Sequence, residues 1–435
     1  MRIAFFVGEF PALSETFILN QVTGLIDLGH EVDLYAMRRR RDSKVHPEVS
    51  SYGLQDRARY VDMPGRALPY AMGAVPRFVR NLLRDPKNTI RSLDARRFGK
   101  FAATLRLLYA STPFLGRMPI EYDIMHCHFG PHGVYAVKLR DFGAFRGKIV
   151  TSFHGFDVEA YPRATGGNPY HELFRSGDLF LANSRFTERR LRDLGCPADR
   201  LVVHPVGIDV ARFRSPARSR SVGGPVRLLT VARLVEEKGV AYGIRAVAEL
   251  RRRQPALELV YDVVGDGPLA PELRALAARL GVEAHVRFVG WASQAELPGI
   301  YAAADLFLLP SIRTSSGAEE GAGMVLLEAQ AAGLPIIATR VGGIPEVVLE
   351  GVSAVLVPER DAVAIADAVE DLVARRDEWQ RMGRQGRQYV TRRFDIKVLN
   401  DELVRLYQGL MEGVASRNSI ARVVGAGDRE GADVP

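Results

Sequence analysis

Cysteine is scarce in this 435-residue sequence, where Cys127 and Cys196 are the only two. Two thiols cannot build a disulfide framework, and with no secretory signal a reducing, cytoplasmic compartment is expected. An export leader is missing too, because Glu9 interrupts the apolar run at residues 3–7 before it reaches signal-peptide length. No stretch approaches the roughly 18–20 apolar residues of a membrane span, so the chain is not expected to cross a bilayer. The loop after the first apolar run lacks Gly-x-Gly-x-x-Gly, which excludes a dinucleotide loop there. What is present is the composition of a globular protein: 47% apolar and 25% charged residues, with length enough for two domains.

Charge is unevenly spread. Residues 1–220 hold 34 Lys and Arg against 22 Asp and Glu, a net +12, whereas residues 221–435 carry a net −4. Such asymmetry points one half toward an anionic surface, whether phospholipid headgroups, a pyrophosphate-linked substrate or nucleic acid. Much of the excess lies in residues 66–117, where Asp85 and Asp94 are the only acids and Phe78, Leu82, Leu83, Phe98 and Phe101 are interleaved with the cations. This segment reads either as a solvated helical face or as a basic amphipathic surface held at anionic lipid. It carries no recognition module for nucleic acid, which is not an expected partner.

Apolar runs at residues 2–7, 31–37, 122–126, 148–153 and 179–182 predict strands, alternating with helical spacing such as 17–28. A stretch rich in Arg, Ser, Pro and Gly at 211–224 breaks the pattern and reads as a linker. Strands resume at 226–231, 257–264, 286–289, 306–309, 335–338 and 354–357. The fold class is therefore α/β, with two doubly wound parallel sheets: an N-terminal domain over 1–210 and a C-terminal domain over 225–393. A helix is expected over 394–415 and a disordered tail over 416–435. Two such domains should leave a cleft at the carboxyl ends of their strands, where ligands sit in open α/β sheets.

The strongest chemical signal is Glu320-Gly-Ala-Gly-Met-Val-Leu-Leu-Glu328. Its glycines let a helix N-terminus approach a ligand, so that the amides of Gly323, Met324 and Val325 can hold a diphosphate. Glu328, expected about two turns into the helix, would reach a ribose, and Glu320 before it could accept hydrogen bonds from sugar hydroxyls. Arg233 and Lys238 follow the strand at 226–231 and could neutralise a departing diphosphate; the plainer alternative is a surface turn with Lys238 paired to a neighbouring glutamate. The turn Gly265-Asp266-Gly267 stands after the next strand, where it could pack under a nucleotide base or be only a turn.

In the first half, His154 ends the strand at 148–153 beside Gly155 and could orient the reacting centre, or be a structural hydrogen-bonding histidine. His126 and His128 share one face of a strand. Two such ligands without a third do not make a metal site, so His128 is assigned to the acceptor side and His126 to packing. Glu9, Ser14, Glu15 and Thr16 could meet acceptor hydroxyls, with Ser14 or Thr16 alternatively a helix N-cap.

Taken together, over about residues 2–410, these segments resemble the GT-B-fold retaining glycosyltransferases of family 4. Glu320…Glu328 matches the family's Glu-x7-Glu motif, the spacing selecting Glu320 over Glu319. Arg233 with Lys238 matches its donor-phosphate pair, His154 its catalytic-site histidine, and residues 204–209 its interdomain segment. Residues 10–17, Phe-Pro-Ala-Leu-Ser-Glu-Thr-Phe, resemble a subgroup that builds bacterial exopolysaccharide of the colanic-acid type. The resemblance implies a hexosyltransferase-type enzyme with no cofactor and no metal. Its donor is a nucleotide-sugar, a UDP-sugar expected ahead of a GDP-sugar, bound in the C-terminal domain. The acceptor is a glycan or polyprenyl-pyrophosphate-linked oligosaccharide bound by the N-terminal domain. It further implies same-face displacement and a last helix that returns to the first domain. As an expectation from charge, residues 66–117 bring the chain into peripheral contact with an anionic membrane at its inner face. A nucleotide-sugar epimerase of the same fold, or a non-catalytic subunit of a glycan assembly complex, are the rival functions.

Overall fold

The computed structural model describes residues 1–12, 16–40, 45–64, 67–213, 224–321 and 323–413. They form two compact units. Of the described residues, the first comprises those within Met1–Asn183 and Glu188–His204 and those from Asn400 to residue 413; the second comprises those within Ser184–Thr187 and Pro205–Leu399. Most of the expected linker and the whole of the expected tail at 416–435 lie outside the described residues.

The first unit is built on seven parallel strands: β1 (Arg2–Phe10), β2 (Glu31–Arg39), β3 (Ala58–Tyr60), β4 (Ile120–His128), β5 (Phe145–Phe153), β6 (Leu179–Ala182) and β7 (Leu201–Val203). Their spatial order is β3-β2-β1-β4-β5-β6-β7. The chain reverses its direction of travel across the sheet between β1 and β4, the position at which open α/β sheets bind ligands. β4 shows why the sequence forms a strand there. Ile120 and Tyr122 point inward while Glu121 and Asp123 are exposed, and from Ile124 to His128 every residue is buried because helices cover both faces.

The helix Ile396–Met411 completes this unit: Leu403, Leu406, Tyr407 and Leu410 join the core formed by Ile3, Phe5, Val7 and Val22. Gly24 of the helix Thr16–Asp27 allows the approach, since a Cβ there would stand 1.9 Å from Asn400 Nδ2.

The second unit has six parallel strands: β8 (Val226–Val231), β9 (Leu259–Val264), β10 (Val286–Gly290), β11 (Leu306–Leu309), β12 (Ile336–Thr339) and β13 (Ala354–Val357). Their order is β10-β9-β8-β11-β12-β13, so the reversal falls between β8 and β11. β11 is buried throughout, as a short all-apolar strand at the centre of a covered sheet must be. The loops after β8, β9 and β11 carry Arg233, Gly265 and Glu320 to one edge of this sheet.

Candidate functional site

The second unit brings together most of the sequence-predicted donor residues. Lys238 ends a single 3-10 turn, Glu236–Lys238, after β8. Its Nζ donates to Glu320 Oε2 in a largely buried ion pair. The pairing with a neighbouring glutamate, held open above for Lys238, is thus replaced by one across 82 residues. Arg233 is mostly exposed and lies 3.5 Å from Glu237. Glu320 also accepts a hydrogen bond from the Gly323 N–H at 3.2 Å. Burial alone would raise the Glu320 carboxyl, but Lys238, the Gly323 amide and Arg233 outweigh it and hold it below its ordinary range. Glu320 is therefore an anion at neutral pH. The adjacent Glu319 is committed elsewhere, with Arg313 Nε 2.5 Å from its carboxylate.

Gly323 sits in the left-handed region at φ 58° and starts the helix Met324–Ala331. Met324 and Val325 therefore occupy the first turn, where amides have no intrahelical acceptor. Glu328 is the fifth residue of this helix, so it stands one turn in rather than the expected two. The reason is that Glu320, Gly321 and Gly323 stand ahead of the helix, which starts only at Met324. Glu328 is buried and accepts a 2.7 Å hydrogen bond from the Tyr301 hydroxyl. Burial pushes its carboxyl up to about 7, against the lowering effects of Tyr301 and Arg212.

Three features here escaped the sequence reading. Tyr301, which holds Glu328, sits on the helix Leu297–Ala303. Gly343 donates its N–H to the Glu320 carbonyl at 2.9 Å. Gly342, at φ 56°, lets that chain pass so close that a Cβ would stand 2.1 Å from the same oxygen. Gly265 and Gly267 have a comparable packing role: a Cβ would meet the Ala232 carbonyl at 1.9 Å and the Leu234 carbonyl at 2.5 Å, respectively. Asp266 between them is exposed, and its carbonyl accepts from the Leu234 N–H at 2.9 Å. This turn braces the Arg233 loop.

In the first unit, β4 and β5 place three imidazoles in a stack. The ring centroids are 4.6 Å apart from His126 to His128 and 5.2 Å from His128 to His154. His126 is fully buried and bonded to the Tyr407 hydroxyl at 2.5 Å and the Ser152 hydroxyl at 2.7 Å. His128 is bonded through Nε2 to Gln21 Oε1 at 2.9 Å and through Nδ1 to His154 Nε2 at 3.0 Å. Burial pushes the His154 ring down to about 3 and lowers His128 strongly, so both are neutral at physiological pH.

Neutrality fixes the tautomers. The Gln21 carbonyl oxygen can only accept, so His128 carries its proton on Nε2 and accepts at Nδ1. His154 must then donate from Nε2, which leaves its Nδ1 as an acceptor. Asp157, fully buried, holds the His154 loop by accepting the His154 N–H at 2.8 Å and the Gly130 N–H at 2.9 Å. Phe129, beside the His154 ring at 4.9 Å, takes φ 70°, a conformation costing a bulky residue about 1–3 kcal/mol.

Of the other acceptor-side expectations, Glu9 lies at the end of β1 with its carboxylate 3.9 Å from Arg40. Thr16 opens the helix Thr16–Asp27. Ser14 and Glu15 lie outside the described residues.

Both halves match family models: Glycosyltransferase Family 4 over residues 14–212 and Glycosyl transferases group 1 over residues 212–389. The chain is 36% identical over 415 residues to the putative colanic acid biosynthesis glycosyltransferase WcaL of Escherichia coli, a match covering 94% of this chain and all of the relative. It is 34% identical to the amylovoran biosynthesis glycosyltransferase AmsK of Erwinia amylovora, covering 84% of this chain and 89% of that one. Among solved structures, Alr3699/HepE of Anabaena in complex with UDP aligns with a TM-score of 0.68 at 16% identity, over 94% of this chain and 100% of that one, a likeness of fold. With family models meeting at residue 212 and a relative aligned along its entire length, this chain belongs to the group 1, family 4 glycosyltransferases of GT-B fold.

Proposed function

We propose that this enzyme transfers a hexosyl group from a UDP-sugar, with retention of configuration, to a glycan or polyprenyl-pyrophosphate-linked oligosaccharide in exopolysaccharide assembly. The observation that carries the reading is the Lys238–Glu320 pair at the start of the helix Met324–Ala331. One loop cluster thereby offers cations and helix amides to a diphosphate, and an ionised carboxylate to sugar hydroxyls. The names of the relatives support the glycan product, and the UDP complex of a protein of like fold supports the donor.

In this reaction the acceptor oxygen bonds to C1 on the face from which the leaving group departs, and the C1–O bond to the β-phosphate breaks. The acceptor's proton passes to the departing phosphate oxygen, and UDP leaves. Negative charge grows on the diphosphate as this happens, and Arg233, Lys238 and the amides of Met324 and Val325 stabilise it without a metal ion. Glu328 accepts from the ribose hydroxyls. His154 offers a neutral imidazole on the acceptor side, with Nδ1 as hydrogen-bond acceptor.

Thermal unfolding in EDTA with UDP, GDP or ADP tests the reading on the wild type and on Glu328→Ala. A nucleotide at a hundred times its dissociation constant adds about 2.7 kcal/mol. UDP is expected to stabilise the wild type by that order and the variant far less. Stabilisation by GDP alone would replace the donor class, and no shift with any nucleotide would overturn the proposal.

A further inference from the structure

The first unit carries an exposed apolar surface to which none of the site residues above belongs. Met72, Val75, Val79 and Leu83 of the helix Ala67–Arg84 are 68%, 68%, 51% and 85% exposed. Their spacing of three and four residues puts them in a single stripe along the helix. Ile90 and Leu93 continue the exposed apolar surface through the following turn of chain. Six of the fourteen large hydrophobic side chains exposed among the described residues therefore fall between positions 72 and 93. The opposite side of the helix is anchored, with Ala74 and Asn81 buried, so the stripe is a committed outward face.

Its surroundings are cationic. Arg80, Arg84, Lys87, Arg96, Arg97 and Lys100 are all exposed. The two acids of the segment are consumed by backbone: Asp85 accepts from the amides of Asn88 and Gly116, and Asp94 from those of Arg96 and Arg97. Two other arginines are turned inward, Arg77 over the Tyr109 ring and Arg91 over the Phe142 ring. An apolar stripe bordered by lysine and arginine, with the local carboxylates spent on caps, matches the boundary between acyl chains and anionic headgroups.

We propose that the helix Ala67–Arg84 and the segment up to Lys100 form a lipid-docking face. Met72, Val75, Val79, Leu83 and Ile90 enter the acyl boundary, and the flanking cations contact anionic headgroups. A bilayer fits this face better than a second copy of the chain, whose equally cationic patch would repel it. Among the described residues no helix is long and apolar enough to cross a membrane, so contact of this kind is interfacial. The inference concerns the surface alone and stands whichever nucleotide the enzyme uses.

The test is cosedimentation of the full chain with vesicles of phosphatidylglycerol and phosphatidylethanolamine, set against phosphatidylcholine alone. Binding to the anionic vesicles is expected to be at least about tenfold tighter, and to weaken as salt screens the cations. Val79→Asn/Leu83→Asn is expected to cut binding about tenfold or more, with the thermal unfolding temperature of the variant close to that of the wild type as evidence of folding. Equal binding to both vesicle types at low salt, or a variant that binds as well as the wild type, would overturn the proposal. So would a wild-type dimer that the same substitutions dissociate, if no vesicle binding accompanies it, because the face would then join two copies of the chain.

Discussion

At the residue scale, the two glutamates of the donor motif are held in opposite electrostatic states. Glu320 is kept ionised by Lys238 and the Gly323 amide, whereas burial lifts Glu328 to about 7 against the weaker opposing effects of the Tyr301 hydroxyl and Arg212. A ribose hydroxyl donates best to a carboxylate, so nucleotide binding and Glu328 protonation compete. UDP affinity is expected to fall about tenfold per pH unit below pH 7 and to level off above it. The folding contribution has the opposite sign. With its folded value raised, Glu328 contributes stability below the ordinary carboxylate range, and that contribution is lost as pH rises through about 7. Titration calorimetry with UDP at pH 6 and pH 8 reads the effect, and Glu328→Gln should bind weakly with a flat profile. A wild-type affinity equal at both values would show that Glu328 does not meet the ribose.

The imidazole stack gives a second expectation at this scale. Gln21→Leu removes the acceptor that sets the His128 proton, and with it the tautomer of His154. A loss of about three- to tenfold in kcat is expected, the worth of one net hydrogen bond, with KM for the donor unchanged. Gln21→Glu accepts from the same nitrogen and should restore kcat; failure of that rescue would reduce Gln21 to a packing role. Neither Gln21 nor Tyr301 was legible in the sequence. Arg233, Lys238, Glu320 and His154 are readable because each follows an apolar strand in a local pattern. Gln21 lies 107 residues from His128, and Tyr301 lies 27 residues from Glu328, so only the fold discloses what they serve.

At the scale of elements, legibility follows burial. Strands covered on both faces are the plainest, so β6 and β11, buried throughout, appear in the sequence as uninterrupted apolar runs with the bounds they have in the structure; β8, despite Arg227 and Thr230, and the apolar edge strand β13 keep their expected bounds as well. β3 and β7 escaped notice because each has three residues, too few to carry a period, and their form comes from pairing with β2 and β6. The helix of the donor motif shows a different failure. Its apolar run extends to the glycines, but Gly323 in the left-handed region delays the helix to Met324 and leaves Glu320 ahead of it for the site. In residues 66–117 the interleaving of apolar and basic side chains was visible. Which apolar residues face outward was not, because Phe98 is buried and Leu83 exposed in the same pattern.

At the scale of the whole molecule, the last described helix, Ile396–Met411, joins the unit in which the chain begins. The resemblance implied such a return, but composition did not, because the helix Ile396–Met411 is amphipathic like any other and nothing local names its partner. Leu403, Leu406 and Tyr407 are almost wholly buried and Leu410 nearly so. At about 1.5–3 kcal/mol for each buried side chain, the four together represent about 6–12 kcal/mol. That is comparable with the entire stability of an ordinary domain, about 5–15 kcal/mol. Tyr407 adds the hydrogen bond to His126 Nδ1, which its removal would leave unpaired inside the core. A chain ending at Phe394 should therefore lose the first unit while keeping the second, whose core clusters contain no residue beyond that point. Differential scanning calorimetry of the truncated chain is expected to show a single transition, and UDP should still raise it. Two transitions at the wild-type temperatures would mean that the first unit folds without the helix and that its buried leucines contribute little. Loss of both would mean that the second unit cannot stand without the first.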